Sequence, residues 1–169
     1  MLATKSIVQR PSLDKRDDNT MKKDLDEARG LLMQALGQSA VPDSHFLHRV
    51  YWGLMTAEKE LSGYTSFDVE VKISYINEAE RWGLKLASQP LDTGPRIHME
   101  LERYIIQGRK ASLELRREPS SVEASRSKSD AIEGIDRTLE ELKEKDPTRY
   151  DKNEKLARKW RARFVGTSS

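Results

Sequence analysis

The sequence predicts an all-α protein, with five or six helices in a single domain arranged as a bundle or as an array of helical hairpins. Three observations carry that expectation. Apolar residues recur at three- and four-residue steps in six segments. Glycine, proline and serine interrupt the chain between those segments. The one stretch that alternates like a strand has no convincing partner run to pair with.

Residues 20–36 form the first segment, with Met21, Leu25, Ala28, Leu32 and Leu36 on one stripe and Gly37 placed to cap the end. "SAVPDS" connects it to a second helix over 44–62, for which Asp43 or Ser44 is the expected N-cap. The main stripe there is Leu47, Val50, Tyr51, Leu54 and Leu61, and Gly63 ends it. Trp52, Met55 and His48 fall on another side, so this helix is apolar on more than one face.

Residues 66–89 open ambiguously. "FDVEVKISY" alternates apolar and polar residues and is rich in β-branched side chains, which is a strand pattern. Glu70, Ser74, Asn77, Arg81, Lys85 and Ser88 nevertheless make one uninterrupted polar face at helical spacing, and Thr65 with Asp68 resembles a capping box. A single helix is the preferred reading. A strand over 66–75 that pairs with another chain is the alternative.

"QPLDTGP" is a clear break, and Pro95 suits the first turn of the next helix, 95–117. Its main stripe is Ile97, Leu101, Tyr104, Ile105, Ala111 and Leu115. Met99, Ile106 and Leu113 repeat every seven residues on a second ridge. The serine-rich stretch 118–129 reads as a linker or a frayed helix start. Ile132, Ile135, Leu139 and Leu142 define a helix over 130–145, which "KDP" stops. A basic amphipathic helix over 151–165 closes the chain, and "GTSS" frays. The resulting division is a flexible segment 1–19, a helical domain 20–146, and a basic helix with its tail, 147–169. Gly30, Gly53, Gly83, Gly108 and Gly134 lie mid-helix, where glycine costs about 1 kcal/mol relative to alanine. They suggest places where helix backbones approach one another closely.

The net charge of +2 does not by itself announce a nucleic-acid binder, but its distribution is uneven. Residues 121–146 carry five cations against eight acids, whereas 147–169 carry seven cations against Asp151 and Glu154. Neutralisation of the tail by its acidic neighbour is therefore expected. Cysteine is absent, so disulfides, thiolate metal sites and a cysteine nucleophile are excluded. An intracellular location follows as the expectation, the cytoplasm first and the mitochondrion second because the first thirteen residues are basic and free of acids.

Chemistry is sparse. His45 and His48 sit three apart, yet no third ligand follows at helical spacing. His98 with Glu102, and Glu78 with Arg81, look like ordinary pairs along a helix. No phosphate loop, nucleophile elbow or zinc pattern occurs, and no catalytic residue, metal or cofactor is assigned. Arg117 before Ser120, and Arg126 and Lys128 beside Ser127 and Ser129, make these serines candidate phosphoacceptors.

Two features remain. The first is the pair of ridges formed by Trp52, Met55, Met99, Ile106 and Leu113, expected to receive a protein partner if exposed. On that expectation the chain is a non-enzymatic interaction module, an adaptor or a small subunit of a larger assembly, and a homo-oligomer is compatible with it. The second is "KLARKWRARF", where Leu156, Trp160 and Phe164 line one side and Arg158, Lys159, Arg161 and Arg163 the rest. Arg158, Lys159, Trp160, Arg161, Arg163 and Phe164 are the candidates for an acidic partner, either nucleic acid or an anionic membrane. Docking of this helix on its own neighbour is the competing expectation. An enzyme with a pocket invisible to sequence is the third reading.

Overall fold

The computed structural model describes residues 18–38, 43–64 and 66–166. Among them are six α-helices and no strand: α1 Asp18–Gln38, α2 Ser44–Leu61, α3 Val69–Ala87, α4 Thr93–Arg117, α5 Val122–Lys145 and α6 Pro147–Gly166. The chain divides into two compact units between Gln89 and Pro90, at the "QPLDTGP" break. Each unit holds three helices.

In the first unit α2 packs against both α1 and α3. The apolar stripe of α1 is buried at Leu25, Ala28 and Leu32. Leu25 joins Ala57, Leu61 and Tyr64 in a core cluster, with Met21, Phe67 and Tyr75 at its edge. Asp43 caps α2 by accepting a hydrogen bond from the Phe46 amide at 2.7 Å. Asp68 caps α3 in the same way, through the Val71 amide at 2.9 Å. Thr65, the other half of the expected capping box, lies outside the described residues, as do residues 1–17, 39–42 and 167–169. The flexible segment expected over 1–19 therefore falls almost wholly outside them. Asp18 and Asn19 already belong to α1.

The ambiguous stretch from Val69 onward is helical. Its polar face decides the matter: Glu70, Ser74, Asn77, Arg81, Lys85 and Ser88 are all exposed, while Ile73, Ile76, Ala79 and Leu86 are buried. Alternation of β-branched residues over a few positions is outweighed by a helical burial pattern sustained over the whole segment. Gly37 lies inside α1 rather than past its end, so the helix runs through the expected cap.

In the second unit α4 packs against both α5 and α6. Ile97, Leu101, Ile105, Ile135, Leu139, Leu142, Tyr150, Ala157 and Phe164 form its core cluster. The serine-rich stretch is mostly helix. Ser121 is the N-cap of α5 and accepts from the Ala124 amide at 3.2 Å, so only residues 118–121 form the connection. Serine disfavours a helix interior weakly but is among the best N-caps, and Ala124 and Lys128 face inward.

Asp146 has a double role. The following proline drives it out of the helical region, at φ −147° and ψ 75°, which ends α5. Its carboxylate then accepts from the Arg149 amide at 3.1 Å and starts α6. Pro147 is therefore the first residue of α6, four residues earlier than the sequence reading placed it.

A basic face on the last helix

The apolar side of α6 is turned a little from the expected one. Leu156 is 48 % exposed, whereas Tyr150, Ala157 and Phe164 are buried. Phe164 is 2 % exposed and enters a gap that exists because residue 108 has no side chain: a Cβ at Gly108 would overlap the Phe164 ring. Gly134 serves Tyr104 in the same way. Side chains, not the backbones expected from the sequence, thus approach three of the mid-helix glycines, the third being Gly53 beside Leu32, while Gly30 faces open space.

Trp160 is half-buried at the rim of the core cluster. Its ring lies 5.9 Å from that of Phe164, with the guanidinium groups of Arg163 and Arg109 at 4.9 and 5.9 Å from its centroid. Such contacts hold cations near an aromatic ring by its quadrupole, worth about 0.5–1 kcal/mol each at exposed sites.

The candidate cations separate into two sets. Arg158 and Arg161 are engaged. Arg161 donates twice to Asp136 on α5, at 2.7 and 2.9 Å, a fork-to-fork pair that fixes the rotation of α6. Arg158 donates to Glu154 at 2.9 Å and to the Tyr150 hydroxyl at 3.4 Å. The hydrogen bond from Arg158 holds the Glu154 carboxyl below its ordinary range, and the bonds to Glu154 and Tyr150 push the Arg158 guanidinium up. The bond to Asp136 does the same for Arg161.

The second set points the other way. At about 100° per residue, Lys152, Lys155, Lys159 and Arg163 fall within about 80° of arc, opposite Ala157 and Arg161. All four are exposed, and no acid shares the arc. Among the described residues, Lys152, Lys155 and Lys159 have no ion pair. The set includes Lys152 and Lys155, which the sequence reading did not single out. The cue for them was present: they follow Lys159 and Arg163 backwards at helical spacing.

The expected ridges are placed differently. Met55, Met99, Ile106 and Leu113 are buried, and Trp52 is half-buried, stacked on His48 with centroids 5.9 Å apart. They do not form the exposed groove that the partner reading assumed. Helix α2 packs on both α1 and α3, and α4 on both α5 and α6, so each has more than one face to bury. Apolar residues off the main stripe thus mark a helix with two neighbours.

A shallow hollow of about 440 Å³ lies beside the start of α6, lined by His98, Asp146, Thr148, Arg149, Lys152 and Asn153. Asp146 is occupied by Arg149 at 3.0 Å and His98 faces Glu102 at 3.9 Å. Among the described residues no group of three or more metal-ligating side chains converges, and no helix is long and apolar enough to cross a membrane. The fold and the basic face define a class, an all-α protein of two three-helix units whose last helix turns cations outward. Comparison with known proteins adds no narrower assignment: no family model fits the chain, and no curated protein or solved structure matches it.

Proposed function

We propose that the protein is a non-enzymatic binding module that holds α6 on its own unit by one side and offers the opposite, basic side to the phosphate backbone of a nucleic acid. One observation carries the reading: Lys152, Lys155, Lys159 and Arg163 stand exposed along about three turns of one helix, with no acid among them. A row of cations on a rigid element positions a protein on phosphates without reading sequence. A helix that lies in a membrane surface needs a broad apolar face to bury. The apolar face of α6 is already occupied by the core, which leaves Leu156 as the large apolar residue beside the cations.

Fluorescence anisotropy with a labelled DNA duplex and a labelled single strand tests this. With about four phosphates neutralised, affinity is expected to fall roughly a hundredfold between 50 and 200 mM salt. The double change Lys155→Glu, Lys159→Glu should abolish binding and leave helicity intact, since both side chains are exposed. Salt-independent binding, or binding that survives the double change, sinks the proposal. So does preference for anionic vesicles or an acidic peptide over both nucleic acids. The partner-protein reading through Trp52, Met55, Met99, Ile106 and Leu113 requires those ridges to be uncovered first.

A further inference from the structure

The first unit carries a buried acid that the basic face does not use. Glu58, on α2, is 1 % exposed. Its Oε1 accepts from Arg29 Nε of α1 at 2.6 Å. Its Oε2 is buried and has no hydrogen-bond partner. Helix α1 rests chiefly on α2. It reaches α3 by long side chains, as where the Arg29 guanidinium lies 5.9 Å over the Tyr75 ring.

The groups that face Glu58 come from every helix of the unit. Arg29 and Asp26 belong to α1, and Glu78 and Tyr75 to α3; Glu78 is itself paired with Arg81 at 2.7 Å. Against one cation, 40 % exposed on its side chain, stand two further acids and an apolar surround. A carboxylate there is poorly compensated: one oxygen lacks any donor, and a buried charge without full hydrogen bonding is costly.

We propose that Glu58 is a proton-operated latch that closes α1 onto α2 when it is protonated and loosens α1 when it ionises. Burial, opposed in part by Arg29 and reinforced by Glu78 and Asp26, pushes the Glu58 carboxyl up to about 7. When α1 lifts, Glu58 meets water and returns towards an ordinary carboxyl. The closed form therefore binds the proton more tightly than the open form, and acid favours closure. The sense is opposite to that of an exposed ion pair, which acid breaks.

Hydrogen exchange on the full-length chain, expressed as protection factors so that the intrinsic pH dependence cancels, reads the latch directly. Protection of α1 should rise roughly tenfold from pH 8 to pH 6, while protection of α3 changes less. Glu58→Gln, which keeps an acceptor for Arg29 and removes the charge, should show at pH 8 the protection that the unaltered chain reaches only below about pH 4.5, with no dependence on pH between 6 and 8. Asp26→Asn should shift the midpoint to lower pH. Protection of α1 that is flat with pH overturns the latch, as does a Glu58→Gln chain that keeps the full dependence. Equal changes in α1, α2 and α3 overturn it too, because the proton would then act on the whole unit. A Glu58→Gln chain that fails to fold is met by carboxyl-carbon NMR of the unaltered chain: a Glu58 midpoint near 7 that tracks α1 protection supports the latch, and a midpoint near 4.5 sinks it.

Discussion

Each unit has a terminal helix, α1 in the first and α6 in the second, fastened by apolar packing and by an arginine–carboxylate pair across helices. The two fastenings differ in where the carboxylate sits. In the second unit Arg161 grips Asp136 with two hydrogen bonds, and both side chains keep contact with water, at 37 % and 45 % exposure. In the first unit Arg29 meets Glu58 through one oxygen, and the Glu58 side chain is 2 % exposed. Water decides the difference. An exposed, bidentate pair is screened and contributes little, but it orients. A buried, half-satisfied one carries a large desolvation cost and responds to protons. So α6 is held mainly by shape, whereas α1 adds to its apolar packing a contact that the latch proposal makes dependent on pH.

The largest expected effect tests the claim that shape holds α6. Phe164→Ala removes a buried ring from the core cluster and should destabilise the second unit by about 3–5 kcal/mol, measured by urea unfolding. Gly108→Ala attacks the same contact from the other side. Its new Cβ collides with the Phe164 ring, and overpacking of about 1–3 kcal/mol should exceed the gain of about 1 kcal/mol in helix propensity. The double change should cost less than the sum of the two, since the clash needs the ring. Strict additivity would show that Phe164 and Gly108 do not meet.

Next in size is the pH profile of the first unit. Glu58 binds its proton more tightly folded than unfolded, so stability is fully present below about pH 4.5 and is lost as pH rises towards 7. The loss is on the order of 3 kcal/mol at most, since a shift of one unit is about 1.4 kcal/mol. Glu58→Gln should remove that slope and raise the stability at pH 8 in thermal melts. A profile that is flat above pH 5 and loses stability only as pH falls below about 4.5 would place Glu58 with the ordinary salt-bridged carboxylates.

These contrasts also explain what was legible in the sequence. The helices were readable because burial follows a 3.6-residue period. Leu25, Ala28 and Leu32 are buried in a row, and the uniform polar side of 70–88 revealed a helix despite its strand-like opening. The glycines at 108 and 134 were visible as anomalies, but the rings that fill them, Phe164 and Tyr104, lie 56 and 30 residues away. No local pattern names such a partner. Periodicity counts faces and not neighbours, so it left the second ridges of 44–62 and 95–117 open between core and partner surface. The basic face was half legible. Arg158, Lys159, Arg161 and Arg163 read as one undivided run of cations until Glu154 and Asp136 are placed beside the first and the third. Glu58 was invisible altogether, since a glutamate beside a lysine is ordinary in sequence and only packing makes it unusual.

The smallest effect sharpens the comparison most. Asp136→Asn removes the charge from the exposed pair and keeps an acceptor for Arg161. An exposed pair is worth about 0–1 kcal/mol, so the stability of the second unit should change by less than 1 kcal/mol. If α6 is positioned by that pair and retained by Phe164, the change should appear in geometry before it appears in stability. Trp160 sits one residue from Arg161 and at the rim of the core, so its fluorescence should shift to the red as the helix gains freedom to roll. A loss of several kcal/mol instead would mean that the second unit too depends on an ion pair. The distinction between a helix held by shape and a helix held by charge would then fail.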